Sequence, residues 1–145
     1  MNEKALAQIS RANARRMKRA TAPKLTEAQI ERTCSDWLAL DGWRYLKTSP
    51  VSNKARAVGF GELGMADGLY LRYHPKQGAL AEVMWIEWKR PKGGAFTRAK
   101  QHQCDWHTGE RARGALTLIA GRDFPATIEG FQDYYRKSGL MRRKI

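Results

Sequence analysis

Asp67, Glu87 and Lys89 are the residues of this chain whose types and spacing could do chemistry. In the segment Glu82–Lys89, read as a strand, side chains alternate, so Glu87 and Lys89 project to one side and Met84, Ile86 and Trp88 to the other. Asp67 opens an earlier strand-like segment, Asp67–Tyr73. The turn signal His74-Pro75-Lys76-Gln77-Gly78 between the two predicts an antiparallel hairpin, which sets the start of one strand beside the end of the other. Two carboxylates then converge next to an amine. Like charges held that close repel unless a cation lies between them, and Mg²⁺ takes one or two carboxylates plus water and substrate phosphate. Such an ion polarises a phosphodiester oxygen and acidifies bound water, while Lys89 could orient that water or neutralise developing charge. The chemistry implied is phosphodiester hydrolysis with Mg²⁺, for which Mn²⁺ can substitute.

Glu-x-Lys is a short pattern, and the competing reading of Glu87 and Lys89 is a surface ion pair. The context favours chemistry: the pair ends a strongly apolar strand, and Asp67 follows a glycine-rich loop. Other residues could join the site. Glu31 lies at the margin of the apolar stripe of a predicted helix, where it could turn inward to a metal. Glu27 ranks below it, because an acid in a first helical turn is stabilised by the helix dipole whatever the protein does. Gln103 shares a helical face with Ala99 and Trp106 and would point toward the sheet, with Gln101 as the more exposed alternative. His102 and His107 have no second ligand at metal spacing and read as surface or phosphate contacts.

The elements that must position these groups follow from local signals. Thr26-x-x-Gln29 is a capping box, and Leu25 with Ile30 forms a hydrophobic staple, so a helix begins at Thr26. Ile30, Cys34, Trp37 and Leu38 continue at helical spacing to a stop at Asp41-Gly42, giving a helix over 27–40. Trp43–Lys47 alternates apolar and basic residues and reads as a half-exposed strand. A basic loop spans Pro50–Gly64. After the predicted hairpin come a helix over Phe96–Glu110, an apolar strand over Ala115–Ala120, and a third helix after Asp123 with Phe124, Ile128, Phe131 and Tyr135 on one face. The expected order is α-β-β-β-α-β-α, an α/β fold with a central mixed sheet flanked by helices. Residues 1–24 form a basic arm, 25–138 the folded domain and 139–145 a basic tail.

The 145 residues carry 27 Lys and Arg against 14 Asp and Glu, a formal charge of +13. Self-repulsion on that scale destabilises a compact fold unless a polyanion partner makes it useful, and nucleic acid is the expected one. A generic basic protein of ribosomes or chromatin fits charge alone equally well. Lys54, Arg56, Arg90, Lys92, Arg98 and Lys100, with the two tails, are candidate phosphate contacts; nothing indicates reading of bases. Cys34 and Cys104 form no C-x-x-C pair and read as buried reduced thiols, giving no zinc site. The first 24 residues lack a signal-peptide apolar core, and no apolar run approaches the roughly 18 residues of a membrane span. A soluble, unprocessed cytoplasmic protein is the expectation.

With these residues placed, the chain resembles the PD-(D/E)XK nuclease superfamily. Within it, the likeness is to the VRR-NUC group of phage and bacterial proteins and a eukaryotic repair nuclease, over about residues 25–137. The likeness rests on Thr26-Glu27-Ala28-Gln29-Ile30-Glu31 running to Trp37-Leu38 and Gly42-Trp43, on Gly64-Met65-Ala66-Asp67, on Ile86-Glu87-Trp88-Lys89-Arg90-Pro91, and on Gln103-x-x-Trp106 with Gly114. It departs at Ala66, where the family usually has proline, and in a longer stretch between Pro91 and Gln103. The resemblance implies a restriction-endonuclease-like core, with Asp67 and Glu87 on the metal, Lys89 at the attacking water, Glu27 or Glu31 as an outer metal contact, and a helix-two Gln beside them. It also implies a homodimeric endonuclease selective for branched DNA, such as a Holliday junction or flap, in a bacterial or phage-infected cell. The alternative is a non-catalytic nucleic-acid-binding module of the same fold.

Overall fold

A computed structural model describes residues 24–48, 61–92, 95–96 and 100–142. The first helix, α1 (Glu27–Leu40), begins where the sequence places it. The Thr26 N–H donates to Gln29 Oε1 at 2.8 Å and the Gln29 N–H to Thr26 Oγ1 at 3.2 Å. These bonds satisfy two of the amides a helix start leaves without partners. It ends at Asp41, and Gly42 at φ +88° turns the chain in a conformation that favours glycine.

Strand β1 (Trp43–Lys47) follows, then β2 (Gly68–Arg72) and β3 (Glu82–Glu87), paired antiparallel in sequence. The two-residue strands β4 (Pro91–Lys92) and β5 (Ala95–Phe96) pair with each other alone. Helix α2 (Gln101–Ala112) then carries the chain to β6 (Leu116–Ile119), which lies parallel to β3, and α3 (Ile128–Lys137) closes the described fold. The architecture is α/β, with a four-stranded mixed sheet in the order β1-β2-β3-β6 and, among the described residues, three helices.

The expected elements occur in the expected order, with the short pair β4-β5 added between β3 and α2 and with differences in extent. The predicted helix over Phe96–Glu110 begins only at Gln101, because Ala95 and Phe96 pair with Lys92 and Pro91. The helix starts where the Gln103 side chain accepts the Lys100 N–H at 2.9 Å. The ladder of β2 and β3 runs from Gly68↔Ile86 to Arg72↔Glu82, so Asp67, Trp88 and Lys89 flank the strands rather than belong to them. Phe124 lies ahead of α3, not in it. Pro125 disfavours helical geometry at the residue before it, and the helix waits for Thr127, whose hydroxyl accepts the Gly130 N–H at 3.0 Å.

Strand alternation divides the sheet's faces. Trp43, Tyr70, Met84, Ile86 and Trp88 join Ile30, Cys34 and Leu38 of α1 and Phe131 and Tyr135 of α3 in one buried core. Trp88 meets Phe131 edge-on at 5.2 Å between centroids, and Trp37 of α1 meets Tyr135 at 5.4 Å. The opposite face carries Trp85, which meets Trp106 of α2 edge-on at 5.3 Å. Cys34 is buried and Cys104 only partly so; both are free thiols. Among the described residues no helix is long and apolar enough to cross a membrane.

Candidate active site

The hairpin register brings the predicted residues together. Gly68 pairs with Ile86, so the next residues outward, Asp67 and Glu87, meet at one end of the sheet. The Trp88 N–H donates to Asp67 Oδ2 at 3.3 Å, and the Thr48 N–H donates to the Asp67 carbonyl at 3.0 Å, which ties the residue to both neighbouring strands. Gly68 is required here: a Cβ on it would stand 2.9 Å from ring carbons of both Tyr45 and Tyr70.

Glu87 is fully buried, and its Oε1 accepts from both Lys89 Nζ and Gln103 Nε2. Gln103 is itself held at its other end by the Lys100 backbone N–H. The side chain therefore bridges the start of α2 to the end of β3. This places Gln103, not Gln101, at the site: Gln101 is exposed and donates to Asp105 at 2.7 Å.

Glu87 Oε2 is different. It is buried and has no hydrogen-bond partner among the described residues, and a carboxylate oxygen left so is costly unless something positive or a proton meets it. Burial and the neighbouring Asp67 charge push the Glu87 carboxyl up to about 7, against the pull of Lys89. Burial likewise raises Asp67, with Lys89 opposing and Glu31 adding to the rise. Two carboxyls that resist ionisation together are what a divalent cation would relieve. Among the described residues no three His, Cys, Asp or Glu side chains close around one point. Mg²⁺ completed by water and phosphate needs no such cage.

The two helix acids divide differently from the expectation. Glu31 is buried but already engaged, accepting from the Tyr45 hydroxyl and from Lys47 Nζ at 3.1 Å. Glu27, ranked below it on sequence, is half-buried and is raised by burial, with Lys89 opposing and Asp67 adding, so it stands within electrostatic reach of Asp67 and Lys89. Arg90 and Lys100 are exposed beside the site. Lys54, Arg56 and Arg98 and the side chain of Lys92 lie outside the described residues.

His107 corrects a reading. It is fully buried, not a surface contact, and both ring nitrogens lack partners; burial, with the positive charges of Arg122 and Arg111, pushes it down to about 4. The signal was present, since His107 stands four residues after Gln103 on the same helical face. His102 is half-buried, and its carbonyl packs so closely on Gly64, at φ +84°, that a Cβ there would come within 2.2 Å. Glu62 in the same loop accepts the Trp106 indole N–H at 2.9 Å, so the loop leading into Asp67 is fastened to the helix carrying Gln103. Tyr45 and Lys47 also belong to the surroundings of the site through Glu31. Their period of two in β1 marks them as sharing a face, but only the position of α1 reveals what they meet.

Compared with known proteins, the chain finds no match: no family model, no curated protein and no solved structure is similar to it.

Proposed function

We propose that the chain is a Mg²⁺-dependent nuclease of the PD-(D/E)XK type, VRR-NUC-like, that hydrolyses phosphodiester bonds in DNA and acts as a homodimer on branched or flapped substrates. The observation that carries this reading is Glu87. A fully buried carboxylate has one oxygen held by Lys89 and Gln103 and the other without a partner among the described residues, beside a second carboxylate on Asp67. A merely structural ion pair gains nothing from that arrangement, whereas a bound cation would satisfy the open oxygen.

Asp67 and Glu87 are the residues that would hold Mg²⁺, with Glu27 as an outer contact because Glu31 is committed to Tyr45 and Lys47. When bound, the ion supplies Lewis-acid polarisation of the phosphate and a more acidic water. Gln103 fixes the rotamer of Glu87 from the start of α2. Lys89, bonded to the Glu87 carboxylate, would orient the attacking water and face charge developing on the phosphate oxygens. The formal charge of +13 supplies long-range attraction to the polyanion and makes binding steeply dependent on salt.

The test is cleavage of labelled linear, flapped and four-way-junction DNA with Mg²⁺ or Mn²⁺ by wild type, Asp67→Ala and Lys89→Ala. Metal-dependent cutting by wild type that both variants lose supports the reading. Equal binding by all three with no cutting overturns it and leaves a module that only holds DNA.

A further inference from the structure

Beside the carboxylate pair, a groove of about 230 Å³ opens between α1 and β1. It lies one strand over from Asp67. Glu31 forms part of its wall and acts electrostatically on Asp67. Lys47, on its rim, pairs with Gly68, and the following residue, Thr48, is bonded to the Asp67 carbonyl. Anything threading past Asp67 and Glu87 therefore has this groove as a neighbour.

The lining has a particular chemistry. One wall is the ring of Tyr45, which lies on Tyr70 at 5.0 Å between centroids and is tied by its hydroxyl to Glu31, so it is a fixed flat surface. Ser35, deeper in, bonds Tyr70 at 2.7 Å and the Glu31 carbonyl at 2.7 Å, which holds both walls together. At the mouth stand Arg32 and Asp36, both exposed and with no side-chain hydrogen bond or ion pair to another described residue. Lys47, two-thirds exposed, stands with them. A flat aromatic wall edged by the Asp36 carboxylate, the Arg32 guanidinium and Lys47, itself paired with Glu31, matches one heterocyclic base with an adjoining phosphate. The volume is below the roughly 300–1,000 Å³ of pockets that enclose drug-sized molecules, so it holds one such group and no more.

Resting on the nuclease reading, we propose that this groove seats a single unpaired nucleobase next to the scissile phosphate, with Tyr45 against the base and Arg32 and Lys47 at the neighbouring phosphate. A base in continuous duplex enters it only at the cost of unstacking and unpairing, whereas a base in a flap, gap or frayed end bears no such cost. Selectivity for interrupted DNA then arises within one subunit, from a subsite and not from the branch geometry as a whole.

The experiment fills the groove from an exposed position. Ala28→Trp places an indole in the groove mouth, and Ala39→Trp, exposed on α1 outside the groove, is the control. Thermal melting confirms that both fold. Binding of a labelled duplex and of the same duplex with a single-stranded flap is measured in chelator at one ionic strength, so that nothing is cut. The expected result is at least tenfold tighter binding of the flapped DNA by wild type and by Ala39→Trp, with a ratio that falls to within about twofold in Ala28→Trp. A ratio near one in wild type, or an unchanged ratio in Ala28→Trp, overturns the groove. The two readings fail separately. A wild type that never cuts with Mg²⁺ yet shows the ratio and its collapse loses the nuclease and keeps the groove, and cutting with an unmoved ratio does the reverse.

Discussion

Two clusters of buried charge sit at opposite ends of the same hairpin. At one end Arg72 closes β2 and Glu82 opens β3; at the other Asp67 precedes β2 and Glu87 closes β3. In the first cluster every buried valence is used. Asp41 accepts from Arg72 at 2.7 Å, from the Tyr135 hydroxyl at 2.5 Å and from the Arg142 backbone N–H at 3.1 Å. The same hydroxyl accepts from the Trp43 indole at 2.7 Å. Arg72 also bonds Glu82 and stacks 4.4 Å over the Trp43 ring. In the second cluster Glu87 Oε2 has no partner and two carboxyls are raised together. The saturated cluster fastens the end of α1, the hairpin and α3 to one another. The unsaturated one still lacks a proton or a cation on Glu87 Oε2 among the described residues, which is why it is the candidate site.

The largest effect that could break this contrast is on stability. Removing one member of a saturated buried cluster leaves the others charged or polar without partners, so Asp41→Ala should cost about 3–5 kcal/mol in urea denaturation, with no recovery on adding Mg²⁺. Asp67→Asn removes a charge that the fold tolerates poorly, and should cost less than about 1 kcal/mol or stabilise the metal-free protein. Comparable losses in the two variants would erase the distinction.

Activity should divide the other way. Asp67→Asn and Lys89→Ala are expected to lower metal-dependent cutting by about 10²–10³-fold, as the loss of a charge-stabilising group commonly does. Glu82→Gln, at the far end of β3, should stay within a few-fold in the same assay. If Glu82→Gln proved as damaging as Lys89→Ala, the two ends of the strand would not have separate tasks.

A smaller, more diagnostic effect is the response to pH. A buried acid whose carboxyl is raised from 4.5 to about 7 favours the folded state fully below 4.5, and that contribution is lost as pH climbs through 7. The stability of metal-free wild type relative to Glu87→Gln should therefore fall between about pH 5 and 7.5. Mg²⁺, which binds the ionised form, should restore more of wild-type stability at pH 8 than at pH 5. Parallel profiles for the two proteins, with and without Mg²⁺, would mean that Glu87 is not strained by its surroundings.

The two ends were not equally legible in the sequence. The site end was, because its residues are tied by local rules: strand period two puts Glu87 with Lys89, and a hairpin turn puts Asp67 across from Glu87. The capping box and Gly42 set α1 to the residue. The other end was not, because Asp41, Arg72, Tyr135 and Arg142 come from four separate segments and meet only after the chain has folded; no short-range pattern links a helix C-cap to a residue about a hundred positions away. The late start of α2 was hidden for a related reason. Phe96 suits a helix, and only its pairing partner at Pro91 takes it into β5. Glu31 read as the better metal contact until Tyr45 and Lys47 were found bonded to it.

His107 sharpens the comparison, because it too is buried and without partners among the described residues, yet its ring packs edge-on against Trp106 with centroids 5.2 Å apart. Lack of a partner alone cannot then define a site. What separates the two groups is charge: Glu87 is an acid beside another acid, whereas a histidine pushed down to about 4 is neutral near pH 7 and calls for no counter-ion. Leucine has nearly the volume of histidine and no polar atoms to desolvate, so His107→Leu should stabilise the protein by about 1–2 kcal/mol at pH 7. It should also remove part of the acid limb. A base whose folded pKa is lowered contributes stability that is whole above 6.5 and is lost as pH falls toward 4, and leucine has nothing to protonate. Cutting should stay within a few-fold of wild type. Loss of activity in this variant with a raised melting temperature would draw His107 into the machinery around Gln103, and the boundary of the unsaturated cluster would then run one helical turn further along α2.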